Sequence, residues 1–137
     1  MTQYVDRDES LDDARLLIEL PFGAHTASAL CVLAATLGLH AAHVDLEDCS
    51  EEADLFRRIA GALEFPDWFG ANWDALFDCL TDLSWLPARG YVLVLENGGE
   101  LADAAPQSLQ RLRDLLIETA AAWRERGIAF RAVLGAS

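Results

Sequence analysis

Basic residues are scarce in this chain of 137 residues. Ten Lys and Arg stand against 23 Asp and Glu, which leaves a formal net charge of −13 at pH 7. A protein that binds a nucleic-acid backbone needs cationic side chains to displace the counterions of the phosphates. The sequence therefore argues against direct binding of RNA or DNA. The same charge favours a basic protein as the partner, because complementary potentials accelerate the encounter of two proteins.

Membrane and disulfide signatures are also missing. No apolar run reaches the length of about 18 residues that a membrane-spanning helix needs, and residues 1–13 are acidic where a secretory signal would be basic. The three cysteines, Cys31, Cys49 and Cys79, are odd in number and form no C-x-x-C pair. That usage is typical of reduced, partly buried thiols in a cytosolic protein. We expect a cytoplasmic protein without membrane contact.

Signatures of catalysis and of metal binding are weak. His43, Asp45 and Glu47 alternate along one predicted strand, but their spacing fits none of the common closed zinc sites, and a polar strand face is the simpler interpretation. Neither a G-x-S-x-G elbow nor a phosphate-binding loop is present. We therefore expect no enzyme activity, no cofactor and no metal. A small hydrolase or a metal-binding protein is the alternative.

Hydrophobic periodicity predicts an α/β fold. The high hydrophobic content, 53% of the residues, favours one compact domain over residues 1–137, with an acidic lead-in at 1–13. Strands and helices alternate through short links, which implies a small, mostly parallel sheet of three to four strands packed with helices. The predicted strands lie near 14–20, 40–47, 91–96 and 128–134, and the predicted helices near 25–37, 50–64, 72–83 and 104–126.

The stretch from Phe65 to Thr81 combines aromatic side chains, a proline, a Gly-Ala-Asn hinge and a predicted helix. Asn72 suits the N-cap position, and Asp74 suits the positive end of the helix dipole. No basic residue lies between Arg58 and Arg89, so the acids of this helix are unpaired by their neighbours in sequence. Two faces are expected, with Trp73, Leu76, Leu80 and Leu83 toward the core, and Asp74, Phe77, Asp78 and Thr81 on another side. The acidic side is either a solvated helix face or a surface for a basic partner.

The sixteen residues Pro66 to Thr81 read PDWFGANWDALFDCLT, a pattern that resembles the barstar family, the intracellular inhibitors of the secreted ribonuclease barnase. Weaker similarity of element order continues from about His40 to the C-terminus. The resemblance implies a barstar-like core over residues 40–137, with three parallel strands packed with helices. Residues 14–39 then form an extra N-terminal β-α unit, whose strand is expected at an edge of the sheet.

The same resemblance implies a function. Such a protein binds one ribonuclease molecule and masks its basic active site, with Asp78 as the central carboxylate. Ala122 stands where the family type has a contacting acid, so that Glu118 or Glu125 would serve instead. An immunity or regulatory module for a non-ribonuclease toxin, or for another basic protein, is the alternative, because a fold does not determine a function. The partner-binding residues implied by the resemblance are Trp68, Phe69, Asn72, Trp73, Asp74, Phe77, Asp78, Thr81 and, from a shifted loop, Trp85.

Overall fold

The computed structural model describes residues 17–20 and 26–135, and these residues form an α/β fold with a parallel sheet. The acidic lead-in predicted for residues 1–13 lies outside the described residues. The predicted order of elements is confirmed, with one helix added. The elements are β1 (Leu17–Leu20), α1 (Thr26–Thr36), β2 (His40–Asp45), α2 (Glu52–Ala62), α3 (Trp73–Leu80), β3 (Gly90–Glu96), α4 (Gly99–Ala104), α5 (Pro106–Glu125) and β4 (Ala129–Gly135).

The sheet has the strand order β1-β4-β3-β2, and all three strand pairs are parallel. β1 is an edge strand beside β4, as predicted for the N-terminal unit. The chain crosses the sheet once from β1 to β2 and then returns through β3 to β4. Because crossovers between parallel strands are right-handed, α1 lies on one face of the sheet, and α2, α3 and α5 lie on the other.

The main hydrophobic core lies between the sheet and helices α2, α3 and α5. Every second residue of each of the strands β2, β3 and β4 points into it, including Val44, Leu93 and Phe130. Leu76 of α3 and Leu116 of α5 are completely buried against them. Burial of one such side chain contributes about 1.5–3 kcal/mol. This packing orients α3, whose opposite side is then left facing solvent.

Helix α1 packs on the sheet through alanines and not through its leucines. Ala27 and Ala34 are its buried residues, whereas Leu33 and Leu37 are 56% and 58% exposed. Alanines allow the helix backbone to approach β2 and β3 closely, so the small residues take the inward side. Gly38, two residues after the helix, has φ of +80°, the left-handed conformation in which glycine commonly ends a helix.

Two helix predictions are corrected. The helix predicted near 50–64 is shorter, because α2 begins at Glu52 and ends at Ala62, with Glu51 in the N-cap position and without a side-chain cap. The short helix α4 is absent from the predicted elements, and its Leu101 is completely buried. α4 and α5 are separate helices because Pro106 lacks an N–H and excludes the helical conformation at Ala105, which has φ of −142°.

The three cysteines are free, with Cys49 and Cys79 buried and Cys31 partly buried. Burial raises the pKa of each thiol, and nearby carboxylates raise it further, so the thiols stay protonated and poorly nucleophilic. Among the described residues, no helix combines the length and the apolar content needed to cross a membrane.

Candidate partner-binding surface

Helix α3 begins where the sequence predicts. The Oδ1 atom of Asn72 accepts a hydrogen bond from the backbone N–H of Ala75 at 2.8 Å, which confirms Asn72 as the N-cap. Ala71 precedes it with φ of +53°, in the left-handed region that costs an L-residue about 1–2 kcal/mol. The chain therefore turns sharply at this hinge, and the aromatic residues before it lie beside the helix.

The side of α3 that faces the core consists of the four residues predicted for it. Leu76 and Leu80, together with Leu83 beyond the helix, are almost completely buried. Trp73 is 8% exposed and packs edge-on against the ring of Phe56, with the ring centroids 4.9 Å apart. Trp73 is therefore a core residue with one edge at the surface, and not an exposed contact.

The outer side of α3 carries two exposed carboxylates, Asp74 and Asp78, with the partly buried Phe77 beside them. Neither carboxylate forms an ion pair within the described part of the chain. Thr81 is turned back on the helix, where its hydroxyl donates to the carbonyl oxygen of Phe77 at 2.7 Å. The helix ends at Leu80, earlier than predicted.

An aromatic cluster lies next to this acidic side. Trp68 is 60% exposed, and its ring meets that of Trp85 edge-on, with centroids 6.3 Å apart. Phe65 contacts both Phe69 and Trp85. Trp85, the residue named from the shifted loop, is partly buried, and its indole Nε1 donates to the carbonyl oxygen of Leu63 at 2.9 Å. Trp85 supports Trp68 from behind.

Helices α3 and α5 enclose an open groove of about 620 Å³. Its floor is apolar, and its rim brings together acids from both helices with one arginine. Glu118 lines this groove. Glu125, the other residue expected to replace the family's acid at the position of Ala122, does not line it. The lining residues are Trp73, Asp74, Phe77, Asp78, Arg111, Asp114, Leu115 and Glu118.

Sequence reasoning missed two charged residues of this groove, Asp114 and Arg111. The guanidinium carbon of Arg111 lies over the Trp73 ring, 5.3 Å from its centroid. The absence of basic residues between Arg58 and Arg89 therefore does not leave α3 without a nearby cation, because α5 supplies one. The only signal in the sequence was the spacing of Arg111, Asp114 and Glu118 along one side of a helix, and spacing does not say which helix lies opposite.

The polar strand face of β2 is occupied by hydrogen bonds, as the simpler interpretation predicted. His43 Nε2 lies 2.5 Å from Glu96 Oε1. Asp45 accepts hydrogen bonds from the side chain of Asn97 and from the backbone N–H of Glu47, both at 2.9 Å. The bond from Asn97 is the main reason why the pKa of Asp45 is lowered. In residues 26–135, no group of three or more His, Cys, Asp or Glu side chains is arranged to hold a metal ion.

Comparison with known proteins agrees with this arrangement of strands and helices. A search of curated proteins gives no match. The family model described as Barstar (barnase inhibitor) matches residues 39–135, which takes in β2 to β4 and α2 to α5 and leaves out β1 and α1. Because this match covers most of the sequence, the chain belongs to the barstar family.

Proposed function

We propose that this protein binds a barnase-type ribonuclease one to one and masks its basic active site with the outer side of α3. The observation that carries the proposal is the pair Asp74 and Asp78, which are exposed, without ion pairs in the described chain, and next to the exposed Trp68. The protein performs no chemistry of its own and needs no cofactor. It acts in the cytoplasm of the cell that makes the ribonuclease.

The carboxylates supply the specific contacts. A ribonuclease active site presents Arg, Lys and His side chains to the phosphates of RNA. Asp78, the central carboxylate by resemblance to the family, accepts charge-assisted hydrogen bonds from such groups, and Asp74 adds a second acceptor one helical turn away. Removing a carboxylate from the centre of such an interface leaves buried cations of the partner unpaired, which makes the loss large.

The other predicted residues divide into contacts and supports. Trp68 is the aromatic anchor, since large aromatic side chains dominate the energetic centres of interfaces. Phe69 and Phe77 offer partly exposed rings beside it. Asn72 and Thr81 act through the helix, which they cap at its two ends, while Trp73 and Trp85 position their neighbours from below.

The test is a titration of barnase activity with this protein at low and at moderate salt. We expect a sharp one-to-one end point and a complex that weakens as salt rises. Asp78→Ala should weaken inhibition at least about 30-fold, the roughly 2 kcal/mol that defines an interface hot spot. Asp103→Ala, which removes an exposed acid of α4 outside the groove, is the matched control.

Two results would contradict the proposal. The first is a wild-type protein that inhibits neither barnase nor other ribonucleases of its type. The second is inhibition by Asp78→Ala that equals inhibition by Asp103→Ala. Capture of a stable non-ribonuclease partner on the same surface would then support the immunity or regulatory function.

A further inference from the structure

The sheet is covered unevenly on the face that carries α1. On the other face, α5 lies over β4 and β1 and encloses the main core together with α2 and α3. Helix α1 makes its main contacts with β2 and β3. No helix of the described residues therefore lies over the β4–β1 half of the α1 face. Parallel sheets occur almost only with both faces covered, so a cover from outside the described residues is expected here.

The strand β4 provides an apolar and a cationic side chain to this half of the sheet. Val133 and Arg131 lie on the α1 face, because the residues that alternate with them, Phe130, Ala132 and Leu134, point into the main core. Arg131 is partly exposed and forms no ion pair within the described part of the chain. Its guanidinium donates one weak hydrogen bond, to the carbonyl oxygen of Phe130 at 3.3 Å.

One flank of α1 forms an apolar wall beside these residues. Ala27 and Ala34 mark the side of the helix that packs on the sheet. At about 100° per residue, Leu33 and Leu37 lie on one flank, whereas Val32 points away from the sheet. The crossover from β1 to β2 is right-handed, which turns the flank with the two leucines toward β4. Both leucines are exposed within the described structure, so this wall lacks a partner there.

The segment that precedes β1 fits this surface in position, length and charge. Sixteen residues precede Leu17, which begins β1, the edge strand beside β4. Sixteen residues span about 24 Å as a helix and more when extended, whereas the seven residues of β4 span about 23 Å. Residues 1–16 contain five acids against two arginines. Their acids complement Arg131, and apolar residues such as Tyr4 and Leu11 complement the leucine wall.

We propose that residues 1–16 of this chain pack over the β4–β1 half of the sheet, with apolar side chains against Leu33 and Leu37 and a carboxylate against Arg131. A segment joined to β1 is present at an effective concentration of about a millimolar, so it excludes a second copy of the chain at lower protein concentrations. The packed segment closes this face to other proteins. The inference concerns the face of the sheet opposite to α3 and does not depend on the proposed function.

The experiment follows tryptic cleavage of the folded, full chain after Arg7 and Arg15, the two basic residues that precede β1. A packed segment resists proteases, whereas a released terminus is cleaved readily. Leu33→Asp places a negative charge on the flank that would face the acids of the segment. Val32→Asp is its matched control, because Val32 is also exposed but lies on the outer side of the same helix.

A second pair of variants tests the charge contact. Arg131→Glu reverses the cation on β4, and Arg124→Glu reverses an exposed cation of α5 on the other face of the sheet. We expect cleavage before β1 to be at least about tenfold faster in Leu33→Asp and Arg131→Glu than in wild type. The two controls should be cleaved at the wild-type rate. Far-UV circular dichroism and urea denaturation show whether each variant is folded, and both altered residues lie at the surface.

Three results would overturn the inference. The first is equal cleavage of the two variants and their controls. The second is release of the segment by Val32→Asp as much as by Leu33→Asp, because the flank toward β4 would then not be the contact. The third comes from sedimentation velocity: a wild-type dimer that Leu33→Asp converts to a monomer, with unchanged cleavage, would assign this face to a second copy of the chain.

Discussion

At the scale of single residues, backbone conformation decides effects that side-chain contacts do not explain. Gly61, in the last turn of α2, and Gly127, just after α5, are both exposed, and a Cβ atom added at either position would meet nothing within 4 Å. They differ in one respect, because Gly127 has φ of +77°. The free space around the two glycines therefore does not distinguish them, whereas the backbone dihedral angle φ does.

Gly61→Ala should raise the free energy of unfolding by about 0.4–1 kcal/mol, because the unfolded chain with alanine has less backbone entropy to lose and the helical backbone at this position suits alanine. Gly127→Ala should lower it by about 1–2 kcal/mol, because an L-residue is strained in the left-handed region. Urea denaturation of both variants beside wild type measures the two values. Changes of the same sign would contradict the explanation.

Residues that act locally were also the easiest to predict from the sequence. Asn72 was predicted as a cap because a cap needs only a side-chain oxygen and the first turn of its own helix. Trp85 was predicted only as a contact from a loop, but it is held by Phe65 and by the carbonyl oxygen of Leu63, 22 residues earlier in the chain. Sequence spacing carries no information about such distant partners.

At the scale of elements, α3 depends on its cap. The helix is only eight residues long, and isolated helices of that length are marginal in water. Asn72→Ala should lower the free energy of unfolding by about 1 kcal/mol, since it leaves the N–H of Ala75 without an acceptor. Asn72→Asp keeps an acceptor and adds a charge that suits the helix N-terminus, so it should be close to wild type.

Urea denaturation of the two Asn72 variants measures this effect, and inhibition of barnase measures its consequence for binding. We expect Asn72→Ala to weaken inhibition through a less ordered α3. An alanine variant as stable as wild type, or an aspartate variant as unstable as the alanine variant, would show that the side-chain oxygen does not cap the helix.

The elements themselves followed from hydrophobic periodicity wherever the pattern was long enough. α4 was missed because its six residues are too few to show a helical period and Gly98 and Gly99 indicate a turn. Leu33 of α1 and Leu37 just beyond it are exposed because the face that packs on the sheet is made of alanines. A helix approaches a sheet closely only where its side chains are small, and a pattern of hydrophobic and polar residues carries no information about side-chain size.

At the scale of the whole molecule, the groove beside the proposed binding helix is assembled from distant parts of the chain. The motif at Pro66–Thr81 indicated α3, but the groove needs α5, whose Asp114 and Glu118 lie more than thirty residues beyond the motif. The two helices α3 and α5 lie side by side because both pack on the same face of the sheet. The strand and helix outside the family match, β1 and α1, extend the sheet at β4 and cover its other face over β2 and β3.

The net charge of −13 and the carboxylates of the binding surface should affect different steps of association. Long-range potentials steer encounter and are screened by salt, whereas contacts that are desolvated in the complex resist its dissociation. We therefore expect the association rate constant for barnase to fall at least about tenfold between about 20 and 300 mM salt, as electrostatic steering is lost. The dissociation rate constant should change much less.

Two variants separate these steps in stopped-flow measurements. The double variant Glu100→Gln and Asp103→Asn removes two exposed charges outside the groove, so it should slow association slightly and leave dissociation unchanged. Asp78→Asn removes one charge at the proposed centre of the interface and should speed dissociation at least about 30-fold, in line with an interface hot spot. If Asp78→Asn instead slowed association only as much as its charge requires, Asp78 would steer the partner without touching it, and the centre of the interface would have to lie elsewhere on the acidic surface.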